Sequence, residues 1–161
     1  MISHAIFKAV QLSVRAGAGA GLSTALALLF GLQYPIYAFL AAVIVTDLSP
    51  SRTRQLGLLR IIATVMGAGL GALLSPVLGA GPWALGLGVL IAMQASHLLK
   101  VGDGAKVAGY ICGIVILEHG AEAWSYALFR LIETLLGILV ATLISFVPKL
   151  IRIEEPEPRN S

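Results

Sequence analysis

The sequence contains one pattern twice, and this duplication limits the folds that are open to the chain. Residues 60–75 read RIIATVMGAGLGALLS, and residues 130–145 read RLIETLLGILVATLIS. Both copies fit R-x3-T-x2-G-x7-S, and the offset that aligns Arg60 with Arg130 is here called the repeat offset. An arginine inside an apolar helix costs roughly 2.5–3.5 kcal/mol near the bilayer centre on insertion scales. Its recurrence at equivalent positions therefore predicts that the two halves use their arginines symmetrically.

The composition is that of a membrane protein. Of the 161 residues, 58% are hydrophobic and 12% are charged, whereas about a quarter of a soluble domain is charged. The net charge of +3 is too small to suggest nucleic-acid binding. Cys112 is the only cysteine, so a disulfide within the chain and a multi-cysteine metal site are excluded. No phosphate-binding, zinc-protease or hydrolase motif occurs, and we predict no enzyme activity, cofactor or metal.

Six apolar segments predict an all-α membrane protein with six transmembrane helices. The segments cover about residues 16–32, 36–45, 56–74, 83–99, 107–117 and 124–147. We expect one domain over residues 1–150, with repeat one at about 8–79 and repeat two at about 82–148. The polar residues 151–161 predict a disordered cytoplasmic tail.

The basic residues predict the orientation. Lys and Arg occur near both termini and in the turns around residues 47–60 and 100–106, and the alternate turns contain none. The positive-inside rule then places both termini in the cytoplasm. Because each repeat has an odd number of spans, the second copy must enter the membrane inverted. Inverted repeats with short segments at corresponding positions indicate a transport site at their interface.

Arg60 and Arg130 are the first candidates for a transport pathway. Either arginine could instead anchor a helix end by extending its charge to the membrane surface. That alternative is harder for Arg130, which follows the apolar turn YALF. Glu133 lies one helical turn after Arg130 and can pair with it, or it can act as a proton-coupling acid.

Three further polar residues are candidates for the pathway. Thr64 and Thr134 lie one turn beyond the arginines, where each hydroxyl can bond its own helix, a neighbouring helix or a ligand. Asp47 ends the short second segment, where it can cap a helix, pair with Arg52 or Arg54, or contact an ion.

The chain also resembles a known family at the motifs just described. The resemblance lies in Gly31-Leu32, Tyr37-Ala38-x-Leu40, the basic turn, Arg60-x3-Thr64-x2-Gly67-Ala68 and Arg130-x3-Thr134-x2-Gly137-x3-Ala141. These residues are similar to the membrane half of the fusaric acid resistance and aromatic acid exporter family. The family is distantly related to the plant aluminium-activated malate transporters. The resemblance covers roughly residues 7–148, and Tyr37 stands where the family usually has tryptophan.

The resemblance implies a six-helix unit in the bacterial inner membrane that exports or conducts organic anions, aromatic carboxylates included. Arg60 and Arg130 would be its pathway arginines. The soluble domain and second six-helix unit of many members have no counterpart in this sequence, so we expect a homodimer or higher homo-oligomer. The partners expected are therefore the lipid bilayer, an organic anion and further copies of the chain. The alternative is a membrane scaffold, or the membrane subunit of a larger complex, that transports nothing itself.

Overall fold

The computed structural model describes residues 2–118 and 122–147, and these residues form a helical bundle without strands. The predicted tail, residues 151–161, lies outside the described residues. The α-helices are α1 (Ile2–Leu29), α2 (Pro35–Val45), α3 (Pro50–Leu78), α4 (Pro82–Leu98), α5 (Ala105–Glu118) and α6 (Ala123–Ser145). A 3-10 turn, Gly102–Gly104, precedes α5. The all-helical fold with six helices is confirmed.

Proline and glycine set the boundaries of the first helices. Pro35, Pro50 and Pro82 begin α2, α3 and α4, because proline lacks only an N–H that would be unpaired in a first helical turn. After α3 the chain turns at Gly79, where φ is 69°, a conformation that glycine adopts without steric cost.

Two helices are longer than the apolar segments predict. The first is α1, which begins at Ile2, well before the apolar segment predicted from about residue 16. The second is α3, which starts at Pro50 rather than near residue 56 and continues through Pro76 to Leu78. Pro76 lies in the last turn, so the helix ends at Leu78, soon after the proline that cannot donate a main-chain hydrogen bond.

Among the helices of the described residues, three are long and apolar enough to cross a membrane. They contain Ile6–Leu29, Pro50–Leu78 and Ala123–Ser145. Two shorter apolar helices, α2 with 11 residues and α4 with 17 residues, are interleaved with them. At 1.5 Å per residue, α2 covers only about 16 Å, roughly half of a hydrocarbon core. The composition and these helices assign the chain to the membrane proteins.

The helix contacts of the two halves correspond. If α1, α2 and α3 are matched with α4, α5 and α6, each contact between described helices has an equivalent. Thus α1 packs on α2 as α4 packs on α5, and α3 packs on α5 as α6 packs on α2. The helices α3 and α6, which carry the repeated motif, pack directly against each other.

Burial along α3 and α6 follows the repeat offset. Both members are buried in the pairs Arg60/Arg130, Thr64/Thr134 and Ser75/Ser145. Both members are exposed in the pairs Leu58/Leu128, Ile62/Ile132, Val65/Leu135 and Leu73/Leu143. The repeated motif therefore gives each helix one inward polar face and one outward apolar face.

The repeated glycine of each half brings its helix into close contact with a helix of the other half. A Cβ on Gly67 would meet the main chain of Ala108 in α5, and a Cβ on Gly137 would meet the main-chain carbonyl of Ala38 in α2. Ala38 and Ala108 are themselves related by the repeat offset, and both are fully buried. Small residues permit this close approach, which supplies packing between membrane helices.

We predict that Gly67→Ala destabilises the bundle and that Gly69→Ala does not. Both glycines lie in α3, but only Gly67 abuts another main chain, and nothing lies within 4 Å of a Cβ on Gly69. Overpacking at Gly67 should lower the free energy of unfolding by about 1–3 kcal/mol. Gly69→Ala should leave it unchanged or raise it by up to about 1 kcal/mol, since alanine favours helix.

Unfolding in detergent, followed by far-ultraviolet circular dichroism, measures both variants. Equal stability of Gly67→Ala and Gly69→Ala would contradict the close contact between α3 and α5.

Candidate anion site

The two repeated arginines are buried in the bundle. Arg60 is 3% exposed and Arg130 is fully buried. Because α3 and α6 pack together and each arginine lies on the inward face, both side chains point into the same region. In the structure, neither arginine extends out of the bundle, as it would have to do to anchor a helix end at the membrane surface.

No nitrogen of either guanidinium group has a hydrogen-bond partner of good geometry. The Nε, Nη1 and Nη2 atoms of Arg60 and of Arg130 are all buried and unbonded. A guanidinium carries five N–H donors in its plane. Buried charges in proteins are normally paired and hydrogen-bonded, since removing an ion from water costs several kcal/mol. Two such groups together form a positively charged site whose N–H donors lack acceptors, and an anion could supply these acceptors.

Aromatic rings, rather than hydrogen-bond acceptors, contact the two guanidinium groups. The guanidinium carbon of Arg130 lies 3.3 Å from the centroid of the Tyr37 ring, which is a stacked cation–π contact. A second ring, Tyr110, lies 5.5 Å from the guanidinium carbon of Arg60 and 5.9 Å from that of Arg130. The Tyr110 hydroxyl is also close enough to Arg60 for a weak hydrogen-bond contact, although this contact does not have good hydrogen-bond geometry. Arg130 is likewise close enough to act electrostatically on Arg60.

Tyr37 belongs to a cluster of three tyrosine rings. Tyr34, Tyr37 and Tyr126 have ring centroids 5.3–6.0 Å apart, mostly edge to face. The hydroxyl of Tyr126 donates to the hydroxyl of Tyr37 at 2.7 Å. Stacking leaves the edge of a guanidinium plane free, so this cluster holds Arg130 by one face while its N–H groups remain available.

Glu133 makes a different contact from the expected ion pair. Its Oε1 accepts a hydrogen bond of 2.6 Å from the main-chain N–H of Tyr34, which caps α2. Its Oε2 and all nitrogens of Arg130 have no hydrogen-bond partner, so the two side chains are not hydrogen-bonded to each other, although Arg130 acts electrostatically on Glu133. The first N–H groups of a helix have no partner within the helix and attract negative charge, which explains this preference.

The threonines of the two halves differ although their positions are equivalent. Thr64 donates to the main-chain oxygen of Arg60 at 2.8 Å, within its own helix. The hydroxyl of Thr134 is buried and has no hydrogen-bond partner. The hydroxyl of Thr134 is therefore available to bind a ligand, whereas the hydroxyl of Thr64 already donates a hydrogen bond within its own helix.

Asp47 lies in the turn between α2 and α3, and none of its hydrogen bonds is to either repeated arginine. Its carboxylate accepts from the N–H of Ser49 at 3.0 Å, and its own N–H donates to Thr53 Oγ1 at 3.1 Å. The structure thus gives Asp47 a local turn-forming role, and its hydrogen bonds involve neither Arg52 nor Arg54. Among the described residues there is also no cluster of three or more His, Cys, Asp or Glu.

Arg15 is a buried arginine that the sequence did not single out. Its Nη1 donates to the carbonyls of Asp47 (3.3 Å) and Leu48 (2.8 Å), and its Nη2 donates to that of Val147 (2.9 Å). These carbonyls follow the ends of α2 and α6, which are electronegative. Arg15 therefore ties α1 to both helices. The signal in the sequence was one arginine in an otherwise uncharged apolar segment.

The two halves differ in charge around the arginines. Glu133 in α6 corresponds to Ala63 in α3, so only one half supplies an acid. Two cations and at most one anion leave the site with a net positive charge. A monocarboxylate could neutralise it and would match the planar donor fork of arginine with two hydrogen bonds.

Comparisons with known proteins identify the family to which the chain belongs. The profile of the family described as aromatic acid exporter family member 1 matches residues 7–147. A UPF0421 protein of Halalkalibacterium halodurans is 24% identical over 134 residues, which is 83% of this chain and 38% of the relative. The chain thus spans less than half the length of that relative. No solved structure matches the chain significantly.

We predict that Arg15→Gln loosens α1 and that Lys8→Gln does not. Lys8 is an exposed cation on the same helix and is the matched control. Loss of the charged hydrogen bonds of Arg15 should lower the free energy of unfolding by about 1.5–3 kcal/mol. Unfolding in detergent measures it, and an equal effect of the two substitutions would contradict the anchoring role of Arg15.

Proposed function

The chain belongs to the aromatic acid exporter family, and we propose that it moves organic carboxylate anions, aromatic ones included, past Arg60 and Arg130. Membership of this family indicates a membrane transporter of organic acids rather than an enzyme. The substrate class and the residues of the pathway are our proposal.

The observation that carries the proposal is the set of unbonded guanidinium nitrogens on Arg60 and Arg130. If no anion ever bound between them, the two buried charges would have no countercharge to offset their loss of hydration. A carboxylate that binds there gains charge-assisted hydrogen bonds from groups that lack partners. Thr134, whose hydroxyl is also unbonded, could add one more contact to the bound anion.

A transporter must also release its anion, and the surroundings of the arginines suit transient binding. Tyr37 and Tyr110 stabilise the guanidinium groups by cation–π contacts when no anion is bound. When it is ionised, Glu133 lowers the net positive charge without a hydrogen bond to Arg130. Both effects reduce the difference in free energy between the occupied and the unoccupied site, so binding need not be so tight that it stops transport.

An inverted arrangement of the two halves is part of the proposal. Matched helix contacts, matched burial and the matched contacts of Gly67 and Gly137 support it. In this arrangement Arg60 and Arg130 approach from opposite leaflets and meet where α3 packs on α6. Sites at the interface of inverted repeats are the common solution for alternating access.

The membrane context completes the proposal. We place the chain in the bacterial inner membrane with both termini in the cytoplasm, because the basic residues lie in alternate turns. We further propose a homo-oligomer, a dimer in its simplest form, since one bundle of six helices leaves little room for a pathway. Neither feature alters the role of the two arginines.

We predict that Arg60→Gln and Arg130→Gln each slow carboxylate flux at least about tenfold, because each removes a charge-assisted pair worth about 1.5–3 kcal/mol. Arg54→Gln is the matched control, since Arg54 is an exposed arginine of α3. The measurement is uptake of radiolabelled 4-hydroxybenzoate by proteoliposomes, with empty liposomes as the baseline.

Two results would contradict the proposal. If wild-type protein gives no flux above empty liposomes, the chain alone is not a transporter, as the scaffold alternative predicts. If wild type and Arg130→Gln give the same flux, the arginine site is wrong. Circular dichroism and gel filtration of each variant separate loss of transport from loss of folding.

A further inference from the structure

Helix α5 is almost enclosed by its neighbours, and one stripe of it remains accessible. Lys106 and Tyr110 are exposed, and Ile114 on the next turn is partly buried. They follow one another at every fourth position, so they form a line along one face of the helix. The remaining residues of its central turns, 107–109, 111–113, 115 and 116, are buried or partly buried.

Tyr110 joins this stripe to the buried arginines. Its ring contacts the guanidinium groups of both Arg60 and Arg130, yet the residue is 38% exposed. One part of the ring therefore covers the arginine pair while another part faces outward. Lys106, about 6 Å away along the helix axis, is the nearest cation on the same stripe.

The equivalent stripe in the first half lacks both features. At the repeat offset, Lys106 corresponds to Ile36 and Tyr110 to Leu40. On that side Arg130 is covered by Tyr37, whose hydroxyl is held by Tyr126. The bundle is thus chemically asymmetric, with one polar approach to the arginines and one approach covered by hydrogen-bonded rings.

We propose that the stripe from Lys106 to Tyr110 is the route by which a carboxylate anion reaches the arginine pair, and that Tyr110 is its movable cover. This inference rests on the proposed function and adds the access route and the residue that controls it. Lys106 attracts the anion to the stripe. Rotation of the Tyr110 side chain then exposes the N–H groups of Arg60 and Arg130.

A carboxylate and the Tyr110 ring can replace each other as the group that contacts the arginines. A cation–π contact is weaker than a charge-assisted hydrogen-bonded pair, so a carboxylate can displace the ring. Tyr110 is a partly exposed side chain, so its staggered rotamers are less restricted than those of an enclosed ring such as Tyr126. When the anion leaves, the ring returns and again shields the two charges from the apolar surroundings.

Cysteine labelling tests the route without requiring transport. Tyr110→Cys is made in a Cys112→Ala background, which removes the only native cysteine. Proteoliposomes are treated with a negatively charged sulfonatoethyl or a positively charged trimethylammonium methanethiosulfonate. Val65→Cys, on the exposed apolar face of α3, is the matched control for a lipid-facing position. Ile114→Cys is a second probe of the stripe in case Tyr110→Cys does not fold.

We expect the anionic reagent to modify Tyr110→Cys at least about tenfold faster than Val65→Cys, because a positive field concentrates anions. The rate ratio of anionic to cationic reagent should fall severalfold when Arg60→Gln or Arg130→Gln is added, and it should not change with Arg54→Gln. The proposal is overturned if Tyr110→Cys and Ile114→Cys react no faster than Val65→Cys. It is also overturned if neither Arg60→Gln nor Arg130→Gln changes the rate ratio of anionic to cationic reagent.

The labelling result is independent of the flux result. Arginine-dependent labelling without carboxylate flux would leave the access route standing and contradict the proposed transport. Flux that requires Arg130, combined with an unreactive Tyr110→Cys, would contradict the access route alone.

Discussion

Two guanidinium groups are buried in an apolar bundle without hydrogen-bond acceptors, and the rest of the structure depends on this constraint. Arg60 and Arg130 are buried and their nitrogens are unbonded. Isolated buried charges are costly, so other parts of the fold must make them tolerable. Tyr37 and Tyr110 provide aromatic faces, and the Glu133 carboxylate moderates the local charge. The main-chain contacts of Gly67 and Gly137 fix the helices that carry these groups.

The duplicated scaffold and its unlike side chains serve different purposes. Helix contacts, burial and glycine contacts all recur at the repeat offset. The chemistry does not repeat, since Glu133 corresponds to Ala63 and Tyr110 to Leu40. A symmetric scaffold brings the two arginines together, and asymmetric neighbours can give an anion different surroundings on its two approaches.

The sequence predicted the helices and the arginines because both leave local signals. Apolar length, proline and glycine mark helices, and a repeated arginine in an apolar segment is conspicuous. The partners of these residues could not be predicted in the same way. Glu133 lies one turn from Arg130, yet it bonds to the N–H of Tyr34, which is far away along the chain. Only the packing of α2 on α6 creates that contact.

The tyrosines and Arg15 were missed for the same physical reason. A tyrosine in an apolar helix is an ordinary interfacial residue in sequence, and only the tertiary fold stacks Tyr37 on Arg130. Arg15 is a single charge in an apolar segment, and its acceptors are carbonyls beyond the ends of two other helices. Contacts between main-chain atoms and distant side chains carry no residue-type signal.

The most direct test of the account is to locate an anion in an experimental structure. Crystals grown with 4-bromobenzoate would reveal the bromine by anomalous scattering. We expect a bound bromobenzoate whose carboxylate accepts hydrogen bonds from the N–H groups of Arg60 and Arg130, with Tyr110 displaced. A structure in which both guanidinium groups are paired with protein carboxylates or lipid head groups, with no bromine near them, would contradict it.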